Sequence, residues 1–372
     1  MIGHDPGNEL FAASATVDAF AICAVALWAV RRRPSPWRLL VIAILTVGAL
    51  AAKGVAMVSA GLDIPFGVMH VVWLDAVVVV PFAAAVVGGV AWRSGGPLLR
   101  IAVALGLVLA PVGAYASFVE PERLVTERST LRLPAERIGE DAIRVAVVAD
   151  LQFEELGPHE REAIDRVMSE RPHLILLAGD YHQGTRASFN RQRPELRSLL
   201  SRLRAPGGVF AVQGDSESVR KARDVFRGTG IRLLVDETVH TRVGDRALAI
   251  AGQRLAYWRS DAAAVARRLE NAPGNGDVRL LLAHRPDTAL RIDRGSRLDL
   301  VVSGHTHGGQ LQVPFFGPPS TASDVPRDVA AGGLHRIRGN AIYVSRGIGV
   351  ERGQAPRLRL GAPPEISILE LR

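Results

Sequence analysis

Four long apolar stretches separated by short polar segments fill the first 119 residues, and they constrain the fold more than any other feature. The stretches cover residues 11–30, 39–60, 68–92 and 98–118. Each has about the 20 residues that a helix needs to cross the apolar core of a bilayer. Buried helices of a water-soluble protein are the alternative, but four of them in series are uncommon. We therefore predict a four-helix transmembrane domain over residues 1–119.

The breaks between the stretches predict the orientation of this domain. Basic residues lie in or beside the first and last breaks, whereas the middle break, residues 61–67, contains Asp63 as its single charged residue. The basic residues are Arg31, Arg32, Arg33, Arg38, Arg93 and Arg100. Cytoplasmic loops of membrane proteins are enriched in Lys and Arg. We therefore expect an integral protein of the bacterial inner or plasma membrane, with the chain beyond residue 119 on the extracytoplasmic side.

Three charged residues, Asp18, Lys53 and Asp75, interrupt the stretches at comparable depth, and His70 lies nearer the outer edge. Charges inside a membrane are costly and tend to pair or to mark function. We expect a cluster of these residues. It is either an ion pair that locks helix packing or a site for a headgroup or an ion.

From residue 120 the sequence is mixed in charge and its apolar runs shorten to strand length. The whole chain has 45 Lys and Arg against 37 Asp and Glu, a net charge of +8. Charges of both signs are interspersed, so no nucleic-acid partner is expected. The single cysteine, Cys23, excludes an internal disulfide.

Five short apolar runs of this second region end in carboxylates or imidazoles, which are Asp150, Asp180, Asp215, His284 and the pair His305 and His307. The runs are typical of buried strands, and helical patterns lie between them over residues 158–170, 194–203, 216–227 and 261–269. In α/β sheets, ligands gather at the carboxyl ends of strands. We therefore expect a metal centre.

Oxygen and nitrogen donors of this kind suit Mn²⁺, Fe, Zn²⁺ or Mg²⁺. Six protein ligands exceed the four of a structural zinc site, but two ions that share a carboxylate would accommodate them. Such ion pairs commonly catalyse displacement at phosphorus.

The same stretches resemble the calcineurin-like metallophosphoesterases, whose pattern is Asp-x-His, Gly-Asp, Gly-Asn-His-Asp/Glu, a lone His and Gly-His-x-His. The matching stretches here are Asp150-Leu-Gln152, Gly179-Asp180, Gly214-Asp215-Ser216-Glu217, His284 and Gly304-His305-Thr306-His307. Residues 304–310, 345–349 and 363–366 are most similar to the membrane-associated branch related to UDP-2,3-diacylglucosamine pyrophosphatases. The resemblance covers residues 120–372. It implies an α/β sandwich of two mixed β-sheets flanked by helices, here preceded by the four-helix transmembrane domain.

The resemblance also implies the cofactors and their ligands. The first of two divalent metal ions, with Mn²⁺, Fe or Zn²⁺ expected, would be held by Asp150, Asp180 and His307. The second would be held by Asp180, Asp215, His284 and His305, so that Asp180 bridges the two ions. A hydroxide activated by this binuclear centre would attack phosphorus in line.

Three positions depart from the family pattern. Gln152 stands where the family has a metal-binding histidine, and its amide oxygen is a weaker ligand, so His182 is an alternative source of a nitrogen ligand. Asp215 replaces an asparagine and adds a negative charge. Ser216 replaces a histidine that usually donates a proton, and a serine hydroxyl is a poor acid. A good leaving group such as pyrophosphate, or recruitment of Glu217 or His182, would compensate. The catalytic candidates are therefore Asp180, Ser216, Glu217 and His182.

Residues 186–204 contain six arginines and apolar residues at mostly helical spacing. They form either a basic helix that lies on anionic lipid or a surface helix that packs on the sheet. Arg285 and Arg346 are candidates for phosphate binding.

These features predict a metallophosphoesterase that hydrolyses a phosphoester or pyrophosphate bond at the membrane surface. The expected substrate is a lipid or lipid-linked molecule related to lipid A. Two alternatives stay open: an enzyme for soluble nucleotides or phosphomonoesters, and a membrane binding or regulatory module with a vestigial metal site. The sequence does not predict the oligomeric state.

Overall fold

The structure, a computed structural model, describes two compact units of the chain. The described residues are 6–32, 48, 52–59, 61, 66–93, 96–255, 260–274 and 277–372. The first unit is Met1–Val119 together with Arg352–Arg357, and the second is Glu120–Glu351 together with Leu358–Arg372. A short segment from near the carboxyl terminus therefore belongs to the first unit.

Most of the described part of the first unit is helical. Its helices are Pro6–Arg32, residues 52–59, Phe66–Ala91 and Pro97–Glu122. The last two are long and apolar enough to cross a membrane, and the first contains a shorter apolar segment, Leu10–Val25. Most of the predicted stretch 39–60 lies outside the described residues. The predicted four-helix transmembrane domain is therefore not confirmed: two helices of sufficient length are found among the described residues.

An ion pair lies inside this helical unit. The Lys53 ammonium contacts a carboxylate oxygen of the buried Asp18, and Asp75 lies within interaction range of both charges. The His70 ring stacks on Phe11, with 4.2 Å between ring centroids. The pair joins two helices that are separate in sequence, as expected for charges removed from water.

The second unit is built on two six-stranded sheets. In spatial order, the strands of the first sheet are β1 (Val125–Leu131), β12 (Glu365–Leu371), β2 (Ile143–Val148), β3 (Leu174–Leu177), β4 (Val209–Ala211) and β5 (Arg232–Leu233). Those of the second are β10 (Gly333–Ile337), β11 (Asn340–Val344), β9 (Leu300–Ser303), β8 (Val278–Leu282), β7 (Arg246–Gly252) and β6 (Glu237–Val243).

Both sheets are mixed, as predicted. Strands β2 to β5 are parallel to one another, and β12 runs antiparallel to β2 but parallel to β1. In the second sheet β7, β8, β9 and β11 are parallel, and the edge strands β6 and β10 are antiparallel to their neighbours. The parallel central strands direct their carboxyl ends to one edge of each sheet, which is where the polar residues follow.

The apolar core lies between the sheets, and helices cover their outer faces. Along β2, Val145 and Val147 face the second sheet, whereas Ala146 and Val148 face the helices. This alternation buries both faces and explains why the central strands are continuous apolar runs. The covering helices are Pro158–Ser169, Arg186–Leu200 and Val219–Phe226 on the first sheet and Ser260–Glu270 and Arg327–Ala330 on the second.

The helix Arg186–Leu200 begins eight residues before the predicted start at Pro194, and this prediction was wrong. Thr185 caps the helix by accepting a hydrogen bond of 3.0 Å from the Ser188 amide. Pro194 lies inside the helix. An internal proline removes one backbone hydrogen bond. Here the buried apolar face compensates for that loss.

The apolar face of this helix packs on the sheet. This packing supports the interpretation of residues 186–204 as a surface helix rather than as a basic helix that lies on anionic lipid. Its buried side chains, together with the following Leu203, belong to the core of the first sheet: Phe189, Leu196, Leu199, Leu200 and Leu203. Arginines that follow the helix, within residues 186–204, also bind groups of the same unit. Arg202 pairs with Asp165, and Arg204 donates to the Thr229 carbonyl at 3.1 Å.

We expect Lys53→Leu to destabilise the first unit, because the buried Asp18 carboxylate loses its cation. Removing one partner of a buried pair costs about 3 kcal/mol or more of the free energy of unfolding. The double variant Asp18→Asn/Lys53→Leu removes both charges and should recover most of this loss. Thermal unfolding of the three purified proteins in detergent measures the effect. Equal melting temperatures would show that the ion pair does not contribute to packing.

Candidate metal centre

The polar residues that follow five parallel strands meet at one end of the two-sheet sandwich. Strands β2, β3 and β4 of the first sheet lead to Asp150, Asp180 and Asp215. Strands β8 and β9 of the second lead to His284 and His305. All five side chains belong to two overlapping groups whose ligand atoms lie within 4.8 Å of one another within each group. The expected convergence of strand ends is therefore present.

The first group contains Asp215, His284 and His305, and the second contains Asp150, Asp180 and His284. The His284 Nε2 atom lies 3.5 Å from Asp180 Oδ2 and 3.3 Å from Asp215 Oδ2. The His305 Nδ1 atom lies 2.9 Å from the same Asp215 oxygen. His284 thus belongs to both groups, and each group offers three donors to a cation.

The backbone at these positions is held in the left-handed region. The φ angles of Asp150, Gln152, Asp180, His305 and His307 are 52°, 36°, 57°, 73° and 51°. Residues other than glycine rarely adopt this conformation, and it persists only where the surrounding structure imposes it. The strain turns each side chain off its strand and towards the common centre.

Glycines let the strand-end turns approach one another closely. Gly179 has a φ of +99°, and a Cβ atom there would lie 2.7 Å from the Gly214 Cα. A Cβ atom on Gly214 would lie 2.1 Å from the Asp180 Oδ1 atom. Only residues without a side chain allow β3 and β4 to place Asp180 and Asp215 together.

The electrostatics of the centre follow from its carboxylates, of which Asp150 and Asp180 are buried. Burial lowers the pKa of His284, but the charge of Asp180 and hydrogen bonds to Asp180 and Asp215 outweigh it and hold this pKa well above its ordinary value. Burial raises the pKa of Asp215, and hydrogen bonds with His284 and His305 reverse the effect, so this pKa lies well below its usual range. Asp180 and Asp215 therefore stay ionised, with the pKa of Asp180 lowered to about 2 beside His284, whereas burial raises the pKa of Asp150 well above its ordinary value. A divalent cation binds ionised carboxylates and neutral imidazoles, so its binding would release the proton of His284.

His307 is buried on the same side of the site, outside the two groups. Its Nε2 atom is buried and has no hydrogen-bond partner among the described residues. Its Nδ1 atom lies 3.2 Å from the Arg359 guanidinium. Burial, and then the charge of Arg359, lowers the pKa of His307 well below its ordinary value. The neutral imidazole is the form that binds metals, so this buried nitrogen fits a ligand position.

Gln152 contacts the same centre through its amide nitrogen. Its Nε2 atom donates hydrogen bonds to Asp180 Oδ2 at 2.9 Å and to Glu351 Oε2 at 3.2 Å. The side chain is buried. The structure therefore places this departure from the family pattern next to a carboxylate of the second group and next to Glu351, a residue that the sequence did not indicate.

The side chain of Glu217, a candidate acid, points towards backbone amides. Its carboxylate accepts hydrogen bonds from the amides of Asp180 at 3.2 Å, Tyr181 at 3.1 Å and Gly214 at 2.6 Å. Burial, and then the charge of Asp180, raises the pKa of Glu217 to about 7. In this position the side chain joins the turns after β3 and β4.

Ser216 lies beside the same carboxylate. Its hydroxyl donates to Glu217 Oε2 at 2.9 Å, and its backbone amide donates to Asp180 Oδ1 at 2.8 Å. The main chain of Ser216 thus orients Asp180, while the hydroxyl is engaged with Glu217.

His182 packs between two aromatic rings and is in neither of the two groups found among the described residues. Its ring lies 5.4 Å from that of Phe153 and 5.5 Å from that of Phe189, both at steep angles. Its Nε2 atom lies 3.2 Å from Ser188 Oγ. The role suggested for His182 as a ligand or acid stays a prediction.

The two candidate phosphate-binding arginines, Arg285 and Arg346, differ in the carboxylates that they contact. The Arg285 Nε atom donates to Asp215 at 2.9 Å, beside the first group. Arg346 forms an ion pair of 2.6 Å with the fully buried Glu365 and one of 3.2 Å with Glu127. Its guanidinium neutralises a carboxylate that would otherwise be buried alone, and its role in phosphate binding stays a prediction.

Arg359 is a residue of the site that sequence reasoning missed. It is fully buried, and its guanidinium donates to the carbonyls of His307 at 3.3 Å, Ala362 at 3.0 Å and Gly347 at 3.3 Å. A local signal existed, since Arg359 alternates with leucines in Leu358-Arg-Leu360. This alternation did not distinguish Arg359 from other arginines, because almost all basic residues of this chain are arginines.

Comparisons with known proteins agree with this geometry. The calcineurin-like phosphoesterase family matches residues 143–309. The phosphodiesterase YaeI of Escherichia coli (strain K12) is 30% identical over 236 residues, which cover 61% of this chain and 82% of that protein. The uncharacterized metallophosphoesterase YkuE of Bacillus subtilis (strain 168) is 28% identical over 280 residues, which cover 73% and 94%.

A more distant relative is the UDP-2,3-diacylglucosamine pyrophosphatase LpxG of Chlamydia muridarum (strain MoPn / Nigg). It is 24% identical over 325 residues, which cover 71% of this chain and 94% of that protein. The resemblance inferred from the motifs is thereby confirmed, and with it the expectation of a phosphoester hydrolase. The chain belongs to the calcineurin-like metallophosphoesterases.

Proposed function

We propose that this metallophosphoesterase hydrolyses a phosphodiester or pyrophosphate bond in a lipid or lipid-linked substrate at a membrane surface. The observation that supports the catalytic part is the pair of donor groups, which overlap at His284. Isolated acidic groups are common, but two adjacent groups at five strand ends, with the Asp180 carboxylate able to bind both ions, are suited to two neighbouring cations.

The proposed ligands of the first ion are Asp150, Gln152, Asp180 and His307, and those of the second are Asp180, Asp215, His284 and His305. The donor set fits Mn²⁺, Fe or Zn²⁺. When bound, such ions lower the pKa of a coordinated water and neutralise charge that develops at phosphorus.

The orientation of Ser216 supports a substrate with a good leaving group. Its hydroxyl donates to Glu217, and Glu217 accepts from three backbone amides. Neither group is therefore directed outward as a proton donor. A phosphate that leaves from a pyrophosphate linkage needs less protonation than an alkoxide does. The name of the relative YaeI, a phosphodiesterase, also favours a diester over a monoester.

Two features support a membrane setting. The first unit contains two helices long and apolar enough to cross a bilayer, Phe66–Ala91 and Pro97–Glu122. In the second unit, the loop that follows the His305–His307 motif exposes two aromatic rings, Phe315 fully and Phe316 by 57%. Exposed aromatic side chains at a loop tip are suited to the interface of a membrane or to an acyl chain.

The substrate of the relative LpxG is a diacylated sugar nucleotide with a pyrophosphate bond, as its name states. A substrate of that chemical class would combine a good leaving group with acyl chains that the exposed loop could contact. We therefore propose this class for the present chain, rather than soluble nucleotides.

Metal content and hydrolysis test the catalytic proposal. We expect about two Mn²⁺, Fe or Zn²⁺ ions per chain by elemental analysis and turnover of bis-p-nitrophenyl phosphate. Asp180→Asn should lower turnover by more than about a hundredfold, the upper limit for residues that only support a ligand. The control is Asp165→Asn, on the exposed surface of the helix Pro158–Ser169, which should keep both properties. Wild-type protein without metal or turnover in any divalent ion would favour the regulatory module with a vestigial site.

Glu217→Ala and Glu217→Gln separate a structural role from an acid role. We expect Glu217→Ala to lower the free energy of unfolding by about 2–4 kcal/mol, because three buried amides lose their acceptor. Glu217→Gln keeps one acceptor oxygen and should lose about half as much. Chemical denaturation followed by circular dichroism measures both. Unchanged stability with turnover abolished in Glu217→Gln would instead identify Glu217 as the proton donor.

The exposed loop should matter for lipid substrates alone. We expect Phe315→Ser/Phe316→Ser to lower kcat/KM for UDP-2,3-diacylglucosamine in mixed micelles by more than about tenfold, since each ring contributes about 1.5–3 kcal/mol when buried and about 1.4 kcal/mol is tenfold. Hydrolysis of bis-p-nitrophenyl phosphate should not change. The exposed apolar Ile138 serves as control through Ile138→Ser. An equal loss on both substrates, or on neither, would contradict a role of the loop in lipid recognition.

A further inference from the structure

We infer that Glu351 is a positioning residue that orients Gln152, so that the Gln152 amide presents its oxygen to the first metal ion in place of the family's histidine ring. This inference rests on the proposed function, because it concerns a ligand of one of the two ions. It assigns a role to a residue outside the family motifs.

A glutamine and a histidine differ as metal ligands in one respect. Either nitrogen of an imidazole ring can bind a metal, whereas only one end of a carboxamide can. The amide nitrogen of glutamine is a donor of two hydrogen bonds and has no lone pair for a metal. A glutamine at a ligand position therefore needs a neighbour that determines which end of the amide faces the ion.

The contacts of Gln152 supply two such neighbours. Its nitrogen donates to Asp180 at 2.9 Å and to Glu351 at 3.2 Å. Both partners are carboxylates, which accept hydrogen bonds and do not donate them when ionised. The nitrogen end of the Gln152 amide is thus held by these two acceptors, and the amide oxygen is directed away from them.

These two carboxylates are not equivalent once a cation is bound. Asp180 belongs to a metal-binding group, so its oxygens would be engaged by the ion. Glu351 is outside both groups among the described residues. It is therefore the acceptor that remains for the Gln152 nitrogen in the metal-bound state.

Glu351 is itself held in place by two other glutamines. Its Oε1 atom accepts a hydrogen bond of 2.6 Å from Gln183, three residues beyond Asp180. Its backbone amide donates to Gln310 Oε1 at 2.6 Å, three residues beyond His307. The carboxylate that orients Gln152 is thereby tied to the turns that carry two other proposed ligands.

The partners of Glu351 are amides, which bind its oxygens without neutralising them, unlike the arginine that pairs with Glu365. Burial raises the pKa of Glu351, and the hydrogen bonds from Gln183 and Gln152 only partly oppose this shift. A cation at the first site would favour the ionised carboxylate, which accepts hydrogen bonds and donates none.

A double-mutant cycle between these residues tests the inference. The proteins are the full-length wild type, Glu351→Gln, Gln152→His and the double variant, purified in detergent and stripped with EDTA. Binding of Mn²⁺ is measured by equilibrium dialysis with elemental analysis. Glu351→Gln keeps the shape of the side chain but can donate as well as accept, so it no longer selects one end of the Gln152 amide.

We expect Glu351→Gln to bind one Mn²⁺ as tightly as the wild type and the other about 10- to 100-fold more weakly. Gln152→His restores the family ligand and should bind both ions at least as tightly as the wild type. In the Gln152→His background, Glu351→Gln should change Mn²⁺ affinity less than threefold, because an imidazole needs no partner to select its end. The control Glu122→Gln, at an exposed carboxylate, should match the wild type.

The outcomes separate this inference from the proposed function. Two tight sites in both the wild type and Glu351→Gln would overturn the inference and leave the function intact. An equal loss of affinity from Glu351→Gln in both backgrounds would also overturn it, because Glu351 would then act independently of Gln152. A wild type that binds no Mn²⁺, Fe or Zn²⁺ would overturn the proposed function and the inference together. Melting temperatures in EDTA identify any variant that fails to fold.

Discussion

Mutual repulsion among carboxylates is the constraint on which the second unit depends. Asp150, Asp180 and Asp215 are brought to one end of the sandwich by the parallel strands that precede them, and His284 lies among them. In the absence of a cation such a group would favour separation of the strand ends of the first sheet. Left-handed backbone, close glycine contacts and the carboxylate of Glu217 hold the strand ends together against this force. This arrangement therefore lowers the stability of the fold and creates a site with high affinity for cations.

Sequence reasoning predicted the parts of the fold in which local pattern and burial agree. Strands β2, β3, β4, β8 and β9 are buried on both faces, so each is mostly apolar and is followed by a polar residue. The outer strands did not show this signal. Val125–Leu131 mixes charged and apolar residues because much of it is exposed. Its pairing with the carboxyl-terminal strand depends on contacts across more than 200 residues.

The proposed ligands were visible in the sequence because each one follows a strand or lies in a motif. Glu351 and Arg359 were not, because each acts through a partner that is distant in sequence. Glu351 contacts a side chain 199 residues away, and Arg359 binds His307 across 52 residues. Residues that support a ligand carry no spacing rule of their own. Only the folded arrangement identifies them.

The position of β12 has a consequence for the order of folding. This strand contains residues 365–371 and lies between β1 and β2 in the first sheet. β1 and β2 therefore do not pair with each other, and each pairs with a segment more than 200 residues further along the chain. Contacts across such a separation form slowly, so we expect the first sheet to close late in folding.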